Sequence, residues 1–410
     1  MALSTTFSRA MARPRTGLGI LADLSAANLS AGFAAVLIYT FGPIPFYVAT
    51  ASQLDPGGPA AVNGLFVAFA TAGIGTIVLS LAFKQPLAIG WSMPGLIYMA
   101  TVAPGHTLGE IVGANVLASL VIAVLGVSGL ARRITSAIPL SVVMGMLGGT
   151  MLAYCTSAVS AVEAAPLVAA PPIAGYFAAR ALGKGWLPPV AGALLVGVPA
   201  LVLLGEAGAM GVHPGLPGLE PVGPSVNLGA IVPIAGPLVI LSLVGNAQGI
   251  AVLEANGYRT PIRAITNMTA AMSLVQALFA APPASLQRAA LATVAGDDAG
   301  EPRGRYIAAI VASVGAIALA FTATSATSFT SALPPEFMAV LVGLIMLTVA
   351  LDAVRKTVGG TAPMAGFIAF AVAASDVNAF GLGSACWAVV AGVVAHFALE
   401  REGRLEHSRP

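Results

Sequence analysis

The chain has 410 residues, of which 58% are hydrophobic and only 8% are charged. A soluble domain of this size carries about a quarter charged residues, so the composition indicates a protein that lies in a lipid bilayer. The formal net charge of +2 is too small to indicate a nucleic-acid partner.

Long apolar segments separated by short loops predict an all-α, polytopic membrane protein with fourteen spans, at about 20 residues per span. The first twenty residues are rich in Ser and Arg and lack the apolar core of a cleaved signal peptide, so the first span is expected to direct insertion. The predicted segments, in chain order, are 25–49, 60–82, 86–103, 110–128, 134–155, 161–181, 187–205, 227–253, 264–281, 282–296, 305–323, 335–351, 363–379 and 382–399.

The basic residues support this count. If both termini are cytoplasmic, seventeen of the 18 Lys and Arg residues lie in loops on the cytoplasmic side, and the exception is Arg288. A wrong number of spans would seldom place the Lys and Arg residues on one side so consistently, as the positive-inside rule requires. One missed pair of spans would preserve this asymmetry of charge. We therefore expect an inner-membrane protein with both termini cytoplasmic and residues 401–410 as a cytoplasmic tail.

The first predicted span is interrupted by the stretch Tyr39-Thr40-Phe41-Gly42-Pro43. Gly and Pro are tolerated inside a span where neighbouring helices or water satisfy the freed backbone groups. The aromatic rings could flank a planar substrate, and an ordinary helix contact is nearly as good an explanation. We include Tyr39 and Thr40 among the candidate substrate-binding residues.

The third segment, 86–103, is short, contains two prolines and carries polar residues near its middle. Such a broken stretch at membrane depth is tolerated only where protein or a water-filled cavity surrounds it. We expect an extended stretch followed by a half-helix that starts near residues 92–94, because Ser92 is a good N-cap and Pro suits the first helical turn. Ser92, Met93 and Gly95 are therefore candidate binding residues.

The chain repeats itself. The sequence ITSAIP at 134–139 recurs as FTSALP at 329–334, and ATVA at 100–103 recurs at 292–295. Each match alone is weak, but their shared order and near-constant spacing predict a duplication. Because seven spans is an odd number, the second copy must be inverted, which is the plan of secondary transporters. The predicted division is a first repeat at 1–205, an external linker at 206–226 and a second repeat at 227–400.

Two amide side chains, Asn246 and Gln248, lie inside the eighth predicted span. Buried amides need hydrogen-bonding partners, which could be substrate, water or neighbouring helices. Direct contact with substrate and a structural role are equally good explanations at this point. Both residues are kept as candidates.

The tenth segment, 282–296, is broken like the third and occupies the equivalent place in the second repeat. We expect its half-helix to start near residues 284–285, with Ser285 and Gln287 close to the break. Inversion of the repeats brings the two half-helix N-termini together near mid-membrane, where each carries about half a positive charge. A pocket between them favours an anion.

Arg288 strengthens the prediction of an anion site. It lies in the first turn of the predicted half-helix, where the helix dipole opposes a cation and burial costs at least about 2.5 kcal/mol. A bound anion would offset both penalties, and no acid in the predicted spans is an obvious partner. The alternative is that Arg288 pairs with backbone carbonyls or extends toward water.

The remaining motifs exclude other functions. Cys155 and Cys386 lie in apolar runs without a CxxC motif, and no GxSxG, HExxH, P-loop or dinucleotide fingerprint is present. We therefore predict no enzyme, catalytic residue, cofactor or metal site. Asp376, in the sequence Ser-Asp-Val-Asn at 375–378, is a further candidate, as a proton site. The candidate substrate-binding residues are Ser92, Met93, Gly95, Ser285, Gln287, Arg288, Tyr39, Thr40, Asn246 and Gln248.

The sequence resembles the BenE family of benzoate/proton symporters over most of residues 25–400. The resemblance is carried by SAGFAAVLIYT at 30–40, GWSMPG at 90–95, GIAVLEANGY at 249–258 and GLGSACW at 381–387. It implies a fold similar to uracil and sulfate permeases, with seven plus seven inverted spans. It also implies a core domain of spans 1–4 and 8–11, a gate domain of spans 5–7 and 12–14, an elevator-like motion between them and often a homodimer.

One stretch departs from the family. Residues 281–288 read APPASLQR, where BenE-like proteins typically have a Gly-Gly-His…Asn pattern. This stretch is more similar to the Ser-x-Ser-Arg segment of sulfate-permease relatives, in which the Arg helps to bind anions. Asn246 occupies the place of a base-binding glutamate of uracil permeases, which argues against a nucleobase.

The resemblance therefore implies proton-coupled uptake of a small organic anion, such as a benzoate-like aromatic carboxylate. The alternative is a transporter or channel of the sulfate-permease type for bicarbonate, sulfate or halide.

Overall fold

The computed structural model describes residues 22–131, 138–182, 187–208, 211, 215–375, 377, 379 and 383–400. The elements of the first half are α1 (Ala26–Phe41), α2 (Pro43–Ala51), α3 (Ala60–Phe83), β1 (Ile89–Trp91), α4 (Met93–Val102), α5 (Leu108–Ser128), α6 (Leu140–Ala164), α7 (Pro166–Leu182) and α8 (Pro189–Leu204). Those of the second half are α9 (Leu228–Ala255), α10 (Ile262–Ala277), β2 (Ala284–Leu286), α11 (Arg288–Val294), α12 (Arg305–Ala320), α13 (Ala323–Ser331), α14 (Pro335–Val358), α15 (Pro363–Ala373) and α16 (Ser384–Ala395). A π-helical turn, His396–Glu400, follows α16.

The helices pack as two groups. Helices α1, α3, α5, α9, α10 and α12 pack around the two strands and the short helix α11, and we call this group the strand-bearing bundle. Helices α6, α7, α8, α14, α15 and α16 pack mainly against one another, and we call this group the opposing bundle. A few contacts join the groups, including those of α4 and α9 with α6.

Among the described residues, six helical stretches are long and apolar enough to cross a membrane, if α1 and α2 are taken together as Ala26–Ala51. A seventh span is formed if α12 and α13, which meet at a bend of 61°, are taken as one. Each of the fourteen predicted apolar segments overlaps at least one helix, but several helices are short, so the count of fourteen stays a prediction. The sequence did not predict α13, or the continuation of α14 to Val358 beyond the predicted end at 351.

The first predicted break is present. Helix α1 ends at Phe41, α2 begins at Pro43, and Gly42 lies between them with φ −112° and ψ −78°. The missing N–H of Pro43 suits a first helical position, so a new helix begins there instead of the old one continuing. Tyr39 and Thr40 therefore lie in the last turn of α1, just before the break.

The two broken segments meet in a two-stranded antiparallel sheet formed by β1 and β2. Short strands at membrane depth are stable only if every backbone group finds a partner. Here the pairing extends one residue past each strand, since Ser92 N–H donates to Pro283 and Gln287 N–H donates to Ala88. The register places these residues opposite each other: Ile89 and Leu286, Gly90 and Ser285, Trp91 and Ala284.

Candidate functional site

The outer edge of β1 is held by hydroxyl groups of α3. Ile89 N–H donates to Thr76 Oγ1 at 2.8 Å, and Thr76 Oγ1 in turn donates to the Ile89 carbonyl at 3.3 Å. Leu87 N–H donates to Ser80 Oγ at 3.2 Å. Both hydroxyl-bearing residues are buried. These polar residues inside an apolar helix therefore complete the backbone hydrogen bonds of the strand.

The outer edge of β2 is held in the same way by α9 and α10. Ala284 N–H donates to Ser273 Oγ at 2.8 Å, and Ser242 Oγ donates to the Ala284 carbonyl at 2.8 Å. Leu286 N–H donates to Asn246 Oδ1 at 2.9 Å. Thr76 and Ser273 thus perform the same task at the first hydrogen bond of each strand. Neither residue is among the candidates predicted from the sequence.

Glycines allow α9 to lie close against β2. A Cβ at Gly249 would lie 2.3 Å from Leu286 Cβ, and a Cβ at Gly245 would lie 2.8 Å from Ser285 Oγ. Real Cβ atoms do not approach other atoms this closely, so a side chain at either position would push the helix off the strand. Ser285 is buried in this contact.

The first half-helix, α4, starts where the sequence predicted. Ser92 is its N-cap and its Oγ accepts a hydrogen bond from Gly95 N–H at 3.1 Å. Pro94 lies in the first turn, where its missing N–H leaves no helical hydrogen bond unmade. Ser92 is buried and Met93 is partly buried. Ser92, Met93 and Gly95 therefore form the start of a helix that directly follows β1.

The second half-helix, α11, starts later than predicted. Residues 284–285, predicted as its start, belong instead to β2, and the helix begins at Arg288 with Gln287 as its N-cap residue. Backbone groups of Ala284 and Leu286 are already hydrogen-bonded to side chains of α9 and α10, so the chain can turn into a helix only after the strand ends. Arg288 is consequently the first residue of α11, and it is exposed.

Arg288 has an acidic partner, contrary to the expectation from the sequence. One of its terminal guanidinium nitrogens lies 2.9 Å from Asp352 Oδ2 on α14. Lys356, one turn further along α14, lies 2.8 Å from the same oxygen. The sequence missed this partner because the predicted span ended at 351, whereas the helix continues and brings Asp352 and Lys356 onto one face.

The ion cluster of Arg288, Asp352 and Lys356 joins the two bundles. Arg288 belongs to α11 of the strand-bearing bundle, and the other two residues belong to α14 of the opposing bundle. Their side chains are 44%, 34% and 28% exposed, respectively. The guanidinium therefore lies at the boundary between the bundles, accessible to small solutes, and not within the strand pair.

Gln287 and Tyr39 line a small cavity beside β1. The cavity also contacts Phe69, Gly90 and Trp91. Gln287 Nε2 donates to the Trp91 carbonyl at 2.7 Å, so its side chain lies across the strand pair. Tyr39 packs edge to face against Phe69, with ring centroids 6.2 Å apart.

Three other candidates have hydrogen-bonding partners within the protein. The Asn246 amide accepts from Leu286 N–H and donates to Thr269 Oγ1 at 3.0 Å, so it supports β2. Thr40 Oγ1 donates to the Val36 carbonyl of its own helix at 3.0 Å. Gln248 Nε2 lies 3.5 Å from Met144 Sδ on α6, which places it at the boundary between the bundles.

The structure thus divides the candidates into four places. The starts of the half-helices hold Ser92, Met93, Gly95, Gln287 and Arg288. Strand β2 holds Ser285, with Asn246 bonded to it from α9. The boundary between the bundles holds Gln248 as well as Arg288. The last turn of α1 holds Tyr39 and Thr40, and Tyr39 lines the cavity beside β1. The weak proton candidate, Asp376, lies outside the described residues. In the part of the chain that the structure describes, no group of three His, Cys, Asp or Glu residues could hold a metal ion.

Comparison with known sequences gives one family over almost the whole chain. The model of the BenE family, described as benzoate membrane transport protein, matches residues 22–398. The inner membrane protein YdcO of Escherichia coli (strain K12) is 26% identical over 386 residues, which cover 91% of this chain and 95% of the relative. The benzoate membrane transport protein of Acinetobacter baylyi is 26% identical over 380 residues, which cover 92% and 96%.

Solved structures share the fold. The transmembrane domain of the cyanobacterial bicarbonate transporter BicA superposes with a TM-score of 0.61 at 15% identity, over 91% of this chain and 97% of that domain. SLC26A9 superposes with a TM-score of 0.62 at 13% identity, over 97% of this chain and 69% of its own. This similarity shows a predominantly helical membrane-transporter fold.

Proposed function

The chain belongs to the BenE family of benzoate membrane transport proteins, and we propose that it takes up a small organic anion, such as a benzoate-like aromatic carboxylate, together with protons. The family and the fold establish a membrane transporter. The substrate class, the proton coupling and the binding residues are our proposal.

The observation that carries the proposal is the position of Arg288. It starts a half-helix at the point where the two broken segments meet, and its half-exposed guanidinium lies at the boundary between the bundles. A guanidinium presents a fork of donors that matches a carboxylate, and charge-assisted hydrogen bonds of this kind are roughly twice as strong as neutral ones. A substrate carboxylate at Arg288 would lie near Gln287 and the start of α4.

The other candidates are assigned supporting roles in this proposal. Ser92, Met93 and Gly95 form one wall of the site through the start of α4, and Ser285 holds the opposite strand in register. Asn246 holds β2 in place from α9 by accepting a hydrogen bond from Leu286 N–H. Gln248 contributes an amide from the side of α9 that faces α6, where it could donate to the second oxygen of the anion.

For the transport cycle we propose an elevator-type motion. The strand-bearing bundle, corresponding to predicted spans 1–4 and 8–11, would carry the anion past the opposing bundle, corresponding to spans 5–7 and 12–14. The sparse contacts between the bundles support this division. The proposal includes fourteen spans as 7+7 inverted repeats, an inner-membrane location with both termini cytoplasmic, and a possible homodimer.

An inorganic anion is the alternative substrate. It is favoured by the Ser-Leu-Gln-Arg stretch at 285–288 and by the fold shared with the bicarbonate transporter BicA. The two proposals differ in what the site must accommodate: an aromatic carboxylate needs an apolar wall beside Arg288, whereas bicarbonate, sulfate or halide does not. A channel for these ions would show no accumulation against a gradient.

Uptake by purified protein in proteoliposomes tests the proposal. With an inward proton gradient, we expect accumulation of labelled benzoate and competition by other aromatic carboxylates, with little competition by bicarbonate, sulfate, chloride or uracil. Arg288→Ala should abolish both uptake and benzoate-dependent thermal stabilisation. Arg263→Ala, which removes an exposed Arg at the start of α10, should leave both unchanged. Normal uptake by the Arg288 variant would show that the site is elsewhere.

A further inference from the structure

A carboxylate already occupies Arg288 in this structure. Asp352 Oδ2 lies 2.9 Å from the guanidinium and 2.8 Å from Lys356 Nζ, so one acidic oxygen is shared by two cations. One cation comes from the strand-bearing bundle and the other from the same helix as Asp352. The ion pair therefore holds the two bundles together through the residue to which the proposed function assigns the substrate.

A substrate carboxylate and the Asp352 carboxylate need the same donors. Two carboxylates close to one guanidinium repel each other, and such a pair resists carrying two negative charges. A substrate anion can therefore bind Arg288 only if it displaces the Asp352 carboxylate or if that carboxylate is protonated. Displacement leaves Asp352 with one cation instead of two, which favours uptake of a proton.

We propose that Asp352 is the proton-coupling residue of this transporter: the substrate anion replaces its carboxylate on Arg288, and Asp352 then takes up the co-transported proton. This inference rests on the proposed function and names the residue that couples its two substrates. Asp352 is a positioning residue in the empty site, since it holds Arg288 at the boundary between the bundles, and it is a proton acceptor in the loaded site.

The charges balance through the exchange. The empty cluster carries two positive charges and one negative charge. In the loaded cluster the anion supplies the negative charge on Arg288, the proton neutralises Asp352, and Lys356 keeps its charge, so the net charge is unchanged. The proton passes from water to a carboxylate oxygen of Asp352 and returns to water when the anion leaves. Transport by this scheme moves no net charge.

The surroundings of Asp352 leave these two cations as its partners. Arg355 is its neighbour on α14. The helices packed against α14 carry other titratable or charged side chains, and among the described residues none of these contacts the Asp352 carboxylate: Tyr47 on α2, Tyr154, Cys155 and Glu163 on α6, and Tyr176 and Arg180 on α7. Proton uptake at this position therefore responds chiefly to Arg288 and Lys356.

The test measures the dissociation constant of benzoate for the purified protein from mildly acidic to mildly alkaline pH. For the native chain we expect affinity to fall by up to about tenfold per pH unit once Asp352 is ionised in the empty site. Asp352→Asn should bind benzoate with an affinity that no longer depends on pH and that exceeds the native affinity at alkaline pH. Asp352→Glu, which keeps a carboxylate at this position, should retain the pH dependence of the native chain.

Two further variants provide controls. Lys356→Met should keep the pH dependence but shift it toward alkaline pH, because one cation fewer favours the protonated carboxyl. Glu336→Gln, which changes an acid at the opposite end of α14, should behave like the native chain.

In proteoliposomes, Asp352→Asn should lose proton-driven accumulation but retain exchange of labelled for unlabelled benzoate.

The outcomes separate this inference from the proposed function. If the native chain binds benzoate through Arg288 and Asp352→Asn keeps the native pH dependence and accumulation, the inference is wrong and the proposed function stands. The inference is also wrong if folded Asp352→Asn and Asp352→Glu both lose binding at every pH, since Asp352 would then be needed for structure alone. If Arg288→Ala binds benzoate as the native chain does, both proposals fail.

Discussion

Asn246 Oδ1 accepts a hydrogen bond of 2.9 Å from the backbone N–H of Leu286, and the same amide donates to Thr269 Oγ1 at 3.0 Å. One buried side chain thus joins β2 to α9 and α10. The strand of the broken tenth segment is buried, so no solvent can replace a missing backbone partner. The strand depends on side chains such as this one for its position.

The first prediction concerns this amide. Asn246→Ala should lower the free energy of unfolding in detergent by about 1–3 kcal/mol, because the buried N–H of Leu286 loses its acceptor. Thermal unfolding followed by circular dichroism measures the change. Asn256→Ala is the control, since that amide donates only to Val252 of its own helix in the structure. Equal effects of the two changes would contradict the role assigned to Asn246.

The second prediction contrasts two glycines of α9. Gly249→Ala places a Cβ 2.3 Å from Leu286 Cβ, and the resulting overpacking should cost about 1–3 kcal/mol. Gly236→Ala on the same helix meets nothing within 4 Å and should stabilise the helix by about 0.5–1 kcal/mol. Thermal unfolding should therefore give shifts of opposite sign. A destabilising Gly236→Ala change would show that flexibility, and not close packing, sets the requirement for glycine in α9.

The third prediction concerns the hydroxyl groups at the strand edges. Thr76→Val and Ser273→Ala each remove the acceptor of a strand N–H at 2.8 Å, so each should lower stability by about 1–3 kcal/mol. Ser119→Ala removes a buried hydroxyl that donates to Asn115 within its own helix. This control change should lower stability less, because Ser119 Oγ is a donor within its own helix and its loss leaves no strand N–H without an acceptor. A control effect as large as the others would rule out a special role for the strand edges.

The fourth prediction concerns Gly90 and Gln287. A Cβ at residue 90 would lie 2.2 Å from Gln287 Cγ, so Gly90→Ala should displace the glutamine and break its hydrogen bond of 2.7 Å to Trp91. Adding Gln287→Ala removes the clash. The double variant should then be at least about 1 kcal/mol more stable than the sum of the single changes predicts. Additive single effects in thermal unfolding would mean that the two positions do not interact.

Several features of the site follow from short stretches of sequence. Gly42 and Pro43 break the first span because Pro cannot continue a helical hydrogen-bond ladder, and Ser92 with Pro94 starts α4 because both suit a helix N-terminus. The positions of Pro and polar residues in 86–103 and 282–296 predicted both broken segments. These signals act over a few residues, so they can be recognised without the fold.

Other features depend on residues far apart in the chain. The start of α11 was predicted three or four residues too early, because Ala284–Leu286 pair with a strand nearly two hundred positions away. The predicted span ended at 351, before Asp352, because a charged residue after an apolar stretch usually marks the start of a loop. The pair Asp352 and Lys356, four residues apart, was the available signal for a longer helix, but Arg288 as a third partner could not be read from it.

The sequence by itself determined that the chain lies in a membrane, that it belongs to a transporter family, and where the first and third predicted spans break, since hydropathy and the covalent limits of Gly and Pro act locally. Only the tertiary structure decided what the polar residues do. Whether Asn246 contacts a substrate or a strand, and whether Arg288 meets an acid, depends on which backbone and side-chain groups arrive at the same place. In an apolar bilayer each polar group must form its hydrogen bonds or ion pairs with the groups that the fold places beside it.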